Sequence, residues 1–155
     1  MFSFAKNKKT VELYPYVRRI CDLTTPNLAT TVTGRSEDRF NRALPTLLCP
    51  WDDGAPIKEE MTICLTSDLS DRGVRVILNQ PLRHEQVVLG YWLQSVEMVE
   101  PWYFLGDVRH IQRLGGGYWA IGTQLIEFAN KRYGRKLSEL NHTAAQLLPP
   151  KEAPC

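Results

Sequence analysis

Two short segments carry the residue types best suited to gripping a ligand. The first is Arg35-Ser-Glu-Asp-Arg39, with Arg42 three residues further on. Two arginines four apart, with a third close behind, make a cationic fork. A guanidinium offers five donors in a planar array. It pairs two-pronged with phosphate, stacks on a purine face and matches the O6/N7 edge of guanine. The second segment is Asp68-Leu-Ser70-Asp-Arg-Gly73. Asp and Ser two apart suit an Asx-type turn, and glycine permits positive φ or close backbone approach. Such a turn projects a carboxylate and a hydroxyl from a rigid scaffold. The plainer readings are a surface arginine cluster paired with Glu37 and Asp38, and an ordinary turn.

The rest of the chain proposes no catalytic or metal-binding constellation. It has no G-x-x-x-x-G-K-[ST], no G-x-S-x-G and no H-E-x-x-H. Cys21, Cys49, Cys64 and Cys155 are scattered, with no C-x-x-C pair and no histidine nearby, so reduced structural thiols are expected rather than a zinc site. Gly115-Gly116-Gly117 resembles a phosphate loop only in composition. It falls between two strand-like runs, where a hairpin turn is the better reading. His110 reads as a structural strand residue. No nucleophile is paired with a base, and the expectation is a protein that is not an enzyme and needs no cofactor.

These segments must be held by something rigid, and the pattern between them is that of strands. Ala43 to Cys49 is apolar and ends at the turn cluster Pro50-Trp51-Asp52-Asp53-Gly54. Met61, Ile63 and Leu65 alternate with Thr62, Cys64 and Thr66. Val74, Val76 and Leu78 alternate around Arg75, and Gln86 to Leu93 is a further apolar run. Trp102 to Leu114 and Tyr118 to Phe128 flank the glycine triplet. Six strands in under 90 residues, with turn signals at short intervals, suggest a small sandwich or barrel. Among the aromatics, Trp102, Tyr103, Phe104, Tyr118 and Trp119 are expected mainly in the core. At the ends, Val17 and Ile20 form the inward face of a short helical stretch between Pro15 and Asp22. Leu137, Leu140, Ala144 and Leu147 fall at helical spacing before Pro149-Pro150.

The chain has 155 residues, 43% hydrophobic and 23% charged, a globular balance. The net charge is +2, but it is uneven. Residues 1–42 hold eight basic and four acidic side chains, residues 43–128 six and eleven, and residues 129–155 five and two. The body is therefore acidic by five charges between two basic ends. No apolar run approaches membrane-spanning length and the N-terminus has no signal-peptide core, so a cytoplasmic protein without membrane insertion is expected.

Taken together, R-x-x-x-R before the strand-rich region and D-x-S-x-x-G between two early strands resemble the PilZ family. Arg35, Arg39, Asp68, Ser70 and Gly73 match its fixed positions. The stretch from Gly106-Asp-Val108 to Gly117-Tyr-Trp-Ala-Ile-Gly122-Thr-Gln-Leu resembles its closing hairpin. Where many relatives double the first arginine this chain has Gly34, and Arg42 is a further candidate contact. The resemblance covers residues 35–128. It implies a mainly β protein, a six-stranded antiparallel barrel, with an N-terminal extension and linker (1–34) and a C-terminal helix and tail (129–155). It implies a receptor for cyclic di-GMP that changes conformation on binding to regulate a downstream protein partner. In that reading Arg35 and Arg39 clamp phosphate and guanine, and Asp68 accepts from the guanine N1/N2 edge. Ser70 donates to phosphate or fixes the turn, and Gly73 allows close approach. Residues 23–42 would order with ligand and bring the N-terminal segment onto the barrel. The rival classes are a ligand-free structural or protein-interaction barrel and a single-strand nucleic-acid binder. The acidic body argues against DNA or RNA.

Overall fold

The computed structural model describes residues 13, 15–22, 44–70, 73–93 and 98–148. Seven strands follow one another: β1 (Leu44–Asp52), β2 (Ala55–Pro56), β3 (Thr62–Leu69), β4 (Gly73–Leu78), β5 (Gln86–Tyr91), β6 (Trp102–Gly115) and β7 (Tyr118–Phe128). Helix α1 (residues 15–22) precedes them, and α2 (Ala129–Ser138) and α3 (Asn141–Leu147) follow. Every pairing is antiparallel, in the order β2-β1-β3-β4-β7-β6-β5. β1 also pairs with β5, from Leu47 opposite Gly90 to Trp51 opposite Gln86, which closes six strands into a barrel. β2 is a two-residue extension of β1, turned by Asp53 and Gly54 at φ +54° and +76°. Both central residues have positive φ, the backbone a tight hairpin demands.

Two cores result. The barrel interior holds Leu48, Cys64, Val74, Val76, Leu78, Val87, Leu89, Tyr91, Phe104 and Ile121. On the outer faces of β1, β5 and β6, Leu47, Cys49, Trp51, Val88, Tyr103 and Leu105 meet Ala129, Leu137, Leu140 and Ala144 of the C-terminal helices. β5 is thus buried on both sides, which accounts for its unbroken apolar sequence. Asn130 fixes α2 to the barrel: its amide donates to the Pro101 carbonyl at 2.9 Å, and its Oδ1 accepts from the Tyr103 N–H at 2.7 Å. In place of the single C-terminal helix expected there are two. The chain breaks at Glu139–Leu140 so that Leu137, Leu140 and Ala144 all reach the barrel wall.

The alternation in β3 also reads differently in three dimensions. Cys64 and Thr66 face the interior, and Ile63 and Leu65 are exposed at 38% and 44%. Thr66 is tolerated inside because its hydroxyl bonds Thr46 at 2.7 Å and Tyr91 at 2.8 Å, a chain that leaves none of the three unsatisfied. Met61, on the outer side, joins the second core. Of the aromatics, Tyr103 and Phe104 are fully buried, Trp102 and Trp119 pack on the interior core, and Tyr118 is half exposed.

Helix α1 covers one mouth of the barrel. Leu13, Val17, Ile20 and Cys21 are at most 3% exposed, within the same core as Leu69 and Val74. Tyr16 stacks on Phe128 at 3.7 Å and meets the edge of Trp102 at 5.3 Å. The N-terminal helix is thus packed against the barrel; residues 23–42, expected to order with ligand, lie outside the described residues. Among the described residues no helix is long and apolar enough to cross a membrane.

Burial pushes the Cys49 and Cys64 thiols from their ordinary 9.0 up to about 12. The folded state disfavours both thiolates, so this contribution is complete below pH 9 and is lost as pH climbs toward 12. We expect iodoacetamide to leave both thiols unlabelled in the native protein and to label them in denaturant, read by mass spectrometry of digests. We also expect the denaturation midpoint to fall across that alkaline window.

Candidate ligand-binding site

The Asp68–Gly73 motif lies on the β3–β4 hairpin, at the barrel mouth that α1 covers. Leu69 and Val74 are cross-strand partners, 3% and 4% exposed, and they anchor the hairpin in the core. The Ser70 N–H donates to the Gly73 carbonyl at 2.9 Å, and its hydroxyl approaches the same oxygen at 3.4 Å. Ser70 thus serves the turn, one of the two roles expected of it.

Asp68 owes its direction to a β-bulge. Cys64 and Thr66 point inward, so strict alternation would turn Asp68 into the apolar interior. The register shifts between Thr66 and Asp68, which sets Asp68 opposite Arg75 on the outer face and returns Leu69 to the core. Ser67 holds the bulge. Its hydroxyl donates to the Arg75 carbonyl and accepts from the Arg75 guanidinium, both at 3.3 Å.

Gly73 has a structural cause. A Cβ there would stand 2.6 Å from the Thr123 carbonyl oxygen, a backbone atom of β7 that cannot turn aside. Its φ is not positive. The close approach that glycine permits is therefore that of β4 to β7, which brings Gly73 opposite Gln124.

Beyond Gly73 the outer face is polar and partly cationic. Gln124 accepts from Arg109 Nε at 3.0 Å, and Arg109 also lies 3.5 Å from Asp107. Asp107 in turn accepts from the Gln86 amide at 2.9 Å. Arg75 lies opposite Gly122, which in turn lies opposite His110, whose imidazole covers the glycine. The hairpin thus shares its face with Arg75 and Arg109, neither of which the motif reading selected. For Arg75 the signal was available: outward parity two residues after the motif. For Arg109 it was hidden, because a second bulge between Val108 and His110 resets the parity of β6.

The structure brings Asp68, Ser70 and Gly73 together in one hairpin. Arg35, Arg39 and Arg42 lie outside the described residues, as does the 23–34 linker. Among the described residues no group of three or more His, Cys, Asp or Glu side chains is placed to hold a metal.

No family model matches the chain, and no curated protein does. Among solved structures it is similar to the Bacillus subtilis inhibitor of motility (MotI/DgrA), with 18% identity over 78% of this chain and 56% of that one, at a TM-score of 0.46. The chain thus spans little more than half the length of that protein. A likeness this distant carries no function across, which has to come from the residues themselves.

Gly73→Ala should destabilise the fold by about 1–3 kcal/mol, the usual cost of forcing bulk into packed structure. Gly134, in α2 with open space where its Cβ would be, is the counterpart. Gly134→Ala should be neutral or stabilising by up to about 1 kcal/mol. Urea denaturation of both variants measures the contrast.

Proposed function

We propose that this chain is a PilZ-type receptor for cyclic di-GMP that regulates a protein partner and catalyses no reaction. The observation that carries the reading is the outward-facing Asp68 beside Ser70 and Gly73, on a hairpin next to the strand that the R-x-x-x-R segment enters. Leu44 pairs with Thr66, two residues before Asp68. Arg39 precedes Leu44 by five residues, so the tether allows it at most about 18 Å from that point. Arg42 is closer still. That tether permits Arg39 and the hairpin to contact one dinucleotide.

The chemistry matches that ligand part by part. Arg35 and Arg39 pair with phosphate and lie over guanine, Asp68 accepts from the guanine N1 and N2 donors, and Ser70 keeps the turn in shape. Arg75 and Arg109 add cationic surface on the same face. The ligand would bridge residues 35–42 to the barrel, between docked α1 and β1. The surface that changes is then the connecting segment, which the partner reads. The acidic body disfavours a nucleic-acid backbone as the alternative ligand.

Calorimetry with cyclic di-GMP should show saturable binding without added metal. No heat up to about 1 mM, the range of the weakest specific complexes, would overturn the reading. Arg39→Ala should weaken binding at least about tenfold, since a charge-assisted contact is worth about 1.5–3 kcal/mol. Arg39→Lys should restore little, because an ammonium lacks the planar fork. Full affinity in the lysine variant would show that charge alone suffices.

A further inference from the structure

β6 and β7 outrun the barrel. β5 follows β6 only as far as Gln86 opposite Asp107, and the last backbone bond on that side runs from Val108 N–H to the Glu85 carbonyl at 2.9 Å. From Arg109 to Tyr118 every residue is exposed. β7 is covered by β4 up to Trp119 opposite Leu78. The outer edge of β6 from His110 to Leu114 therefore has no strand beside it among the described residues. It carries exposed apolar side chains: Ile111 is 49% exposed, Leu114 43% and, across the ribbon, Tyr118 50%. An open edge with exposed apolar groups is a template for adding a strand.

Charge indicates what would add. From Val108 to Ile126 the chain holds Arg109 and Arg113 and no acid. Arg109 is engaged by Asp107 and Gln124, whereas Arg113 makes no ion pair among the described residues. At the foot of the ribbon lies a groove of about 630 Å³ whose lining includes Asp52, Asp53, Glu85 and Asp107 against Arg83 and Arg109. Asp52, Asp53 and Glu85 are exposed and make no ion pair among the described residues, although Lys136 reaches the Gly54 carbonyl beside them at 2.7 Å. One molecule thus carries a basic, apolar arm and, at the arm's base, an acidic recess.

We propose that the ribbon is a self-association arm, and that its occupant is a second copy of this chain. Antiparallel pairing of two β6 edges about a two-fold axis at Gln112 sets Ile111 of each copy opposite Arg113 of the other. Each arm's tip then points to the other copy's acidic recess. Such an interface is self-complementary, as two-fold symmetry requires. A lipid surface would accept the arginines and apolar side chains but would leave the open backbone edge unsatisfied.

The contact area is small, below the roughly 1,200 Å² of stable complexes, so the dimer is weak. Sedimentation equilibrium of the full chain should show the mass rising from 17.8 kDa toward twice that value between about 10 μM and about 1 mM. Raising salt from about 0.05 to about 0.5 M should weaken it several-fold. Arg113→Glu and Glu85→Lys should each abolish self-association with unchanged melting temperature, and mixing the two variants should restore the dimer. A monomer throughout the range overturns the proposal. So does a dimer indifferent to both substitutions, or a monomer that instead co-sediments, through Arg113, with vesicles of phosphatidylglycerol and phosphatidylcholine.

Discussion

The pairing of β1 with β5 is the contact on which the rest of the structure depends. Strands far apart in sequence meet from Leu47–Gly90 to Trp51–Gln86, and a sheet that would otherwise expose two edges closes on itself. Closure makes the interior that Thr46, Thr66 and Tyr91 cross with hydrogen bonds, and it brings β1, β5 and β6 into the continuous outer wall that α2 and α3 cover. Gly90 leaves room on both sides: a Cβ there would stand 2.8 Å from the ring of Tyr103, its partner on β6, and 3.3 Å from Cβ of Leu47, its partner on β1. Closure also gives the molecule two distinct ends. One mouth is covered by α1 and bears the Asp68–Gly73 hairpin. At the other, β6 and β7 project past the wall beside an acidic rim.

Much of the fold was legible because its signals are local. The strands from Ala43 to Phe128, the glycine-triplet turn and the helical spacing around Leu140 all follow from periodicity and turn chemistry. What escaped were consequences of parity and of the second core. Alternation in β3 could not say which face is inside, because the inward Thr66 is satisfied by Tyr91, 25 residues away. Nor could it show that a bulge at Ser67 reverses the parity just where Asp68 needs to face outward.

Of the candidate site, the hairpin half was legible in the sequence. Asp68, Ser70 and Gly73 were found as a motif and share one hairpin, and the close backbone approach at Gly73 is to a distant strand. It answers to the backbone of β7, which local sequence cannot reveal. Arg75 had its outward parity to mark it, whereas Arg109 had no signal until the bulge between Val108 and His110 was known. Bulges recur at the places where function is proposed, one beneath Asp68 and one at Arg109. At Asp68 the added residue turns a charged side chain outward while Leu69 stays in the core. At Arg109 it resets the register where the exposed part of β6 begins. β7 links the two ends: it pairs with β4 beside the hairpin and with β6 in the ribbon.

Under the proposed function, cyclic di-GMP would lie on the outer face of the β3–β4 hairpin, at the mouth covered by α1. Backbone-amide chemical shifts followed through a titration of the labelled protein test it most directly. The account predicts the largest changes at Asp68–Ser70, Gly73–Arg75 and Gly122–Gln124, with the ribbon from His110 to Leu114 little affected. Changes confined to the ribbon or to the acidic recess at the opposite mouth, or none at saturating ligand, would contradict it.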